Sequence, residues 1–262
     1  MQTLPTSRPP LVIAMQHMEW RSILSSLASP APWCNPVYLD SASGLGGVAA
    51  TLCLEALDEG ICDREFASSL PLDIGSSVRS RQVAYIGGRL GAERCIDRLG
   101  MTGSGEVGRG LSGEPLWPTG VLGSITHTRR QAHAVVVPTL SCLAIGIDSE
   151  DLTFPAQDLA PVICTEFERR SWIRDAPNAH LVTTLIFCVK EAFYKALHPV
   201  VGRFVDFNEI EVASLDPARR RIQLRRARPA LLPPIVDQAV ASYRLQAGPA
   251  AAIHTTVWIP RA

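Results

Sequence analysis

The fold turns on Leu143-Ala144-Ile145-Gly146-Ile147-Asp148-Ser149-Glu150-Asp151. Leu143 to Ile147 is an apolar, β-prone run, and it ends in acid. In a strand, residues two apart point to the same side, so Asp148 and Glu150 present their carboxylates together. Two clustered anions repel, and they are expensive to desolvate unless a cation joins them. Oxygen-only ligands suit a hard cation, Mg²⁺ before Zn²⁺. A third carboxylate, Glu191, lies in a downstream helix able to pack onto this strand. Asp-x-Glu taken alone is more often a solvated strand end.

That helix is predicted over Thr183 to Leu197. Ile186, Val189, Phe193 and Leu197 form one face, and His198-Pro199 is the expected stop. It carries Lys190-Glu191-Ala192-Phe193-Tyr194-Lys195, which holds both lysines of a chain with 25 basic residues. Glu191 and Lys195 stand in the favourable order for a helical ion pair worth a few tenths of a kcal/mol. Lysine also offers a compact ammonium that approaches a phosphate as a point charge, where a planar guanidinium fits poorly.

Upstream, Val121 to His127 and His133 to Val137 read as strands joined by a turn at Thr128 to Gln131. His127 closes Gly123-Ser-Ile-Thr-His127. Small residues there leave backbone donors accessible, and a histidine can bind a phosphate oxygen, although many strand-end histidines are structural. A long helix is predicted from Ser77 to Leu99, with Val83, Ile86, Leu90 and Ile96 as its core stripe and Gly100 as its stop. Its Arg81 and Arg89, with Arg109 from the Gly-rich loop Thr102 to Pro118, are placed to flank one polyanion. Leu45 to Leu57 has helical character, Asp63 to Leu70 reads as a short capped helix, and so does Glu166 to Arg174. Ile210 to Ser214, Arg221 to Arg225, Val240 to Gln246 and Ile253 to Trp258 alternate with period two and read as strands. The class is α+β, in two halves, 1–142 and 143–262.

Composition narrows the function. With 47% hydrophobic and 19% charged residues over 262 positions, a packed core is expected and disorder is excluded. The formal net charge of zero argues against a general nucleic-acid binder. Arginines 219, 220, 221, 225, 226 and 228 lack interleaved aromatics and read as a solvated sheet face, or as a contact for an acidic protein. Gly103-Ser-Gly-Glu-Val-Gly108 matches a dinucleotide fingerprint but follows a helix rather than a strand, so it is rejected. Seven scattered cysteines show no zinc spacing and are expected to be free thiols in a reducing cytosol. No signal-peptide core or bilayer-length apolar run occurs, so a cytoplasmic protein without a membrane partner is expected.

Taken in order, these pieces resemble the 4'-phosphopantetheinyl transferase superfamily, in particular the type found with siderophore synthetases. The matching text is Arg81-x-x-Ala-Tyr-Ile-Gly-Gly-Arg89-Leu-Gly-Ala, then Gly113-Glu-Pro-Leu-Trp-Pro-Thr-Gly-Val-Leu-Gly-Ser-Ile-Thr-His127. It continues with Ile145-Gly-Ile-Asp148-Ser-Glu150 and Phe187-Cys-Val-Lys190-Glu191-Ala-Phe-Tyr-Lys195-Ala. The resemblance implies a pseudo-dimeric fold of two similar halves, each with a mostly antiparallel sheet and a long helix. It implies a monomer that binds coenzyme A and Mg²⁺, with Mn²⁺ as a substitute, at the junction of the halves. The reaction it implies moves 4'-phosphopantetheine to a serine of an acyl or peptidyl carrier protein and releases adenosine 3',5'-bisphosphate.

By position, Asp148, Glu150 and Glu191 resemble the metal-coordinating carboxylates. Arg81, Arg89, Arg109, His127, Lys190 and Lys195 resemble groups that hold coenzyme A, and Glu191, Lys190 and Lys195 resemble the catalytic set. Glu93 and Ser112 depart from the family pattern, which favours basic residues there. Two other readings share these residues: a non-catalytic coenzyme A or carrier-protein binding module, and a Mg²⁺-dependent phosphohydrolase acting on coenzyme A.

Overall fold

The computed structural model describes residues 37–39, 44–60, 70–101 and 106–261. Two antiparallel sheets dominate it. The first has strands β1 (Val37–Tyr38), β2 (Val48–Cys53), β5 (Val121–His127) and β6 (Gln131–Pro138), in the order β1-β2-β6-β5. The second has β7 (Cys142–Asp151), β8 (Ile210–Asp216), β9 (Arg221–Arg226), β10 (Val240–Gln246) and β11 (Ala252–Pro260), in the order β7-β11-β10-β9-β8. A small hairpin, β3 (Gly108–Arg109) with β4 (Pro115–Leu116), stands apart. The helices are α1 (Leu54–Gly60), α2 (Leu72–Gly75), α3 (Arg79–Arg98), α4 (Ala156–Ile163), α5 (Glu166–Glu168), which continues as a π turn over Arg169–Ile173, and α6 (Ala179–Val201). The 3₁₀ turn Pro234–Gln238 precedes β10.

Each sheet carries one long helix on one face. α3 seals the first with Val83, Ile86, Leu90 and Ile96, the predicted stripe, against Val48, Leu52 and Ala134. α6 seals the second with Ile186, Val189, Phe193 and Leu197 against Val212, Ile253 and Val257. The opposite faces of the two sheets meet in a third apolar seam of Val135, Val137, Ile145, Ile147 and Trp258.

Several sequence expectations are corrected. β7 itself carries on past the apolar run to Asp151 and keeps Asp148 and Glu150 in the strand as expected, because β11 pairs with it along its length, Ile253 opposite Glu150 and Thr255 opposite Asp148. The helical character assigned to Leu45–Leu57 is half wrong: Val48–Cys53 pairs with β6, and only Leu54 onward is helical. Pairing decides it, since Ala50 and Leu52 are buried under α3 while their backbone completes the sheet. α6 passes Pro199 and ends at Gly202, whose left-handed backbone (φ 63°) accepts the stop. A proline late in a helix forfeits one backbone bond without forcing termination. Gly100 stops α3 with φ 73°, as expected. The short helix expected over Asp63–Leu70 lies almost wholly outside the described residues.

Gly146 sets the distance between strand and helix. A Cβ there would fall onto the Ala192 carbonyl oxygen and against the Ala196 amide of α6. Only glycine lets β7 and α6 approach so closely, and Asp148, one strand step beyond on the same face, is thereby brought against α6. Gly146→Ala is expected to destabilise the protein by about 1–3 kcal/mol, as overpacking does. The check is a lowered urea midpoint at unchanged slope.

Candidate active site

Asp148 is buried at 4% exposure on the α6-facing side of β7. Lys195 reaches it from α6, its Nζ donating to Asp148 Oδ1 at 2.6 Å. The Thr126 hydroxyl of β5 donates to the same oxygen at 2.9 Å. One carboxylate thus joins α6, β7 and the edge strand of the first sheet. The Ser124 hydroxyl adds a second stitch, accepting from the Ile147 amide at 3.0 Å. Asp148 Oδ2 is also buried and has no partner among the described residues.

Glu150 and Glu191 complete the acidic group. Burial first, then the charges of Asp148 and Glu191, push the Glu150 carboxyl up to about 8, with Lys195 opposing. Burial and Asp148 likewise raise Glu191. Burial alone would lower the Lys195 pKa, yet Asp148 and Glu191 outweigh it and hold the ammonium above its ordinary value. The three carboxylates therefore sense one another, and Lys195 is the cation among them. Among the described residues, no three His, Cys, Asp or Glu side chains stand close enough to hold a metal ion as they are. The chemistry of the donors fits one nonetheless. The group is all oxygen, it repels itself, and it includes a buried carboxylate oxygen with nothing to bind.

Of the basic residues named from the sequence, His127 and Lys195 adjoin this group, whereas Arg89 and Arg109 neighbour each other on the first sheet's side. His127, at the exposed end of β5, is held below the usual histidine range by desolvation of its ring and by the charges of Lys195 and Arg81. Arg81 is exposed on α3. Arg89 is 5% exposed, with its guanidinium carbon 4.6 Å from the Tyr85 ring centre and its Nε and Nη2 unpartnered. Arg109 pairs with Asp73 at 2.6 Å and lies near enough to Arg89 to help depress it. Glu93, the departure noted in the sequence, accepts from the Val107 amide at 2.8 Å and tethers the loop that carries Arg109.

Lys190 is a correction. It points into the core of the second half, 2% exposed, and its three N–H donors go to Glu168 Oε2, the Ile163 carbonyl and the Phe207 carbonyl at 2.6–2.9 Å. No donor is left for a phosphate. Its partner Glu168 is fully buried and also accepts from the Thr165 and Val212 amides. Neither Glu168 nor Thr126 was singled out from sequence. Thr126 adjoins His127 in a quoted motif, whereas no spacing marks Glu168.

The family can now be stated. Residues 72–137 match the 4'-phosphopantetheinyl transferase N-terminal domain, and residues 144–247 match the 4'-phosphopantetheinyl transferase superfamily. The chain belongs to the 4'-phosphopantetheinyl transferase superfamily. The 4'-phosphopantetheinyl transferase Npt of Nocardia iowensis is 35% identical over 140 residues, 53% of this chain and 62% of that protein. PptT of Mycobacterium tuberculosis is 32% identical over 139 residues, 53% of this chain and 61% of its own. Enterobactin synthase component D of Salmonella typhimurium is 34% identical over 142 residues, 53% of this chain and 58% of its own. The matched segment thus spans about three fifths of these relatives.

Two outcomes are expected. A carboxyl that keeps its proton to about pH 8 when folded, but releases it near 4.5 when unfolded, makes stability fall as pH rises through that window. In chelator-treated protein the melting temperature should therefore drop between pH 7 and 8, above the range in which the depressed His133 and His254 make stability rise with pH, and MgCl₂ should restore it at pH 8. Glu150→Gln should flatten the profile. Separately, Lys190→Met leaves Glu168 buried and uncompensated, and is expected to cost about 3–5 kcal/mol. Adding Glu168→Gln, which removes the charge and keeps an acceptor for the Thr165 and Val212 amides, should recover part of it in the same denaturation assay.

Proposed function

We propose that this chain transfers 4'-phosphopantetheine from coenzyme A to a serine hydroxyl of an acyl or peptidyl carrier protein, forming the serine P–O bond as the pyrophosphate P–O bond breaks and adenosine 3',5'-bisphosphate leaves. The observation that carries the proposal is the meeting of Asp148, Glu150, Glu191 and Lys195 at the junction of the two sheets. We read residues 1–142 and 143–262 as the two halves of a pseudo-dimeric monomer. The relatives named as transferases, and the enterobactin synthase component, support the same activity. Arg81, Arg89, Arg109 and His127 are proposed to receive the nucleotide phosphates. The unpartnered Nε and Nη2 of buried Arg89 are the donors most in need of an anion.

Mg²⁺, which Asp148, Glu150 and Glu191 would hold, supplies Lewis-acid polarisation of the pyrophosphate oxygens when bound. The chain's own residues do the rest. Serine hydroxyl is a weak nucleophile and needs a base. Glu191 is the proposed base, directly or through a water. Its raised pKa brings it nearer to the proton it must accept than an exposed glutamate would be. Lys195 spends one of its three N–H donors on Asp148, and the others are proposed to offset charge on the transferring phosphoryl group. Thr126 and Asp148 fix the ammonium in place, so little reorganisation is needed when that charge develops.

Loss of a preorganised electrostatic group typically raises a barrier by about 2.7–4 kcal/mol, or 10²–10³ in rate. Asp148→Ala and Glu191→Gln are each expected to lower transfer by at least that factor while the fold persists by circular dichroism. The assay is intact mass of an apo carrier protein after incubation with coenzyme A and MgCl₂. A mass gain on the carrier supports transfer. Cleavage of coenzyme A without carrier would favour a hydrolase, and binding without either reaction would leave a binding module.

A further inference from the structure

β7 has two working faces. Asp148 and Glu150 face the acidic group, while Ile147 and Ser149 face the seam between the sheets. That seam opens into a cleft of about 460 Å³, on the side of the strand away from α6. The first sheet contributes Thr51, His133 and Val135 to its wall, and the second contributes Ile147, His254 and Trp258. Arg219, Arg220 and Arg244 stand exposed at its rim, with half-buried Arg221 beside them.

The charge of this cleft is one-sided. Among the described residues along it, the only acid is Asp148, whose carboxylate is turned to Thr126 and Lys195. Other arginines of the same hairpin have partners, Arg225 with Glu211 and Arg226 with Asp237. Among the described residues Arg221 has no carboxylate partner. Its guanidinium carbon lies 5.4 Å from the Trp258 ring centre, and its Nη1 is buried with nothing to bind. Across the cleft, His133 is 6% exposed, with Nδ1 2.9 Å from Thr51 Oγ1 and Nε2 unpartnered. The facing histidine is satisfied, His254 Nδ1 with Ser149 and Nε2 with Gln246. Burial and the neighbouring cations push His133 down to about 3, so it is a neutral polar group rather than a charge. The cleft is thus an apolar slot with a cationic mouth and two buried polar atoms that want partners.

We propose that this cleft is a second ligand site, for an apolar monocarboxylate. The carboxylate sits between Arg221 and Arg244, which the fork geometry of guanidinium suits, and the apolar body lies against Trp258, Ile147 and Val135. With the Thr51 hydroxyl donating to Nδ1, His133 offers its Nε2–H from the inner wall. Inorganic phosphate has the charge without the body, and an alcohol has the body without the charge, so neither satisfies both ends of the slot.

The test is calorimetric titration of the full-length protein with octanoate and with 1-naphthoate, against 1-octanol and inorganic phosphate. At least one carboxylate is expected to bind one-to-one, at least tenfold tighter than either control. Arg244→Gln, at an exposed position, and Arg221→Gln, at a half-buried one outside the apolar cores, should each weaken it at least tenfold. Glu150→Gln, on the other face of β7, should leave it unchanged. Failure of both carboxylates to bind overturns the proposal, as does equal binding of octanol or phosphate. Indifference to both arginine variants overturns it too. None of these results bears on transfer to a carrier protein.

Discussion

Three elements converge on one oxygen. Asp148 Oδ1 receives Lys195 from α6 and Thr126 from β5 while its own backbone is locked in the β7–β11 ladder. A buried carboxylate is unfavourable unless it is paired and hydrogen-bonded, and here the partners come from both α6 and the first sheet. The same requirement runs the other way. The first sheet is held to the second partly because its edge strand supplies Thr126 and Ser124 as partners. The acidic group and the joining of the two sheets therefore rest on the same few bonds.

The two lysines illustrate how burial divides roles that sequence leaves equal. They sit five residues apart on one helix, yet Lys190 faces the core and Lys195 faces the junction. Lys190 is spent on Glu168 and two carbonyls, anchoring α4, α5 and the loop before β8 around α6. Such a pair is kept intact by its own cost: either partner alone would be a bare charge in a dry interior. Lys195 keeps donors in hand and remains partly exposed.

Much of the site was legible because carboxylate spacing on a strand and the Lys-Glu-Ala pattern on a helix carry geometry in themselves. Period two placed Asp148 and Glu150 together, and period 3.6 placed Phe193 and Leu197 in the core, leaving Lys195 off that face. What sequence does not carry is depth. Lys190 and Lys195 look alike until packing is known, and Glu168 has no local pattern because its partners come from α6, β8 and its own N-cap. The segment Val48–Cys53 was misread for a related reason. Small residues such as Ala49, Ala50 and Thr51 suit helix or sheet, and only the β6 partner decides. Arginines 219–221 read as a solvated face because alternation shows side, not the presence of a second sheet opposite.

β7 also imposes a rule of parity on the chain. Its even-numbered residues from 144 to 150 serve α6 and the acids, and its odd-numbered residues from 145 to 149 serve the seam. Inserting a single residue within it would exchange the two sets, burying carboxylates among Val135 and Trp258 and turning isoleucines toward Lys195. Such a change within β7 differs from one in a hairpin turn such as Pro217–Arg220, where no side chain has to keep a face. The strand itself admits substitution but not miscounting.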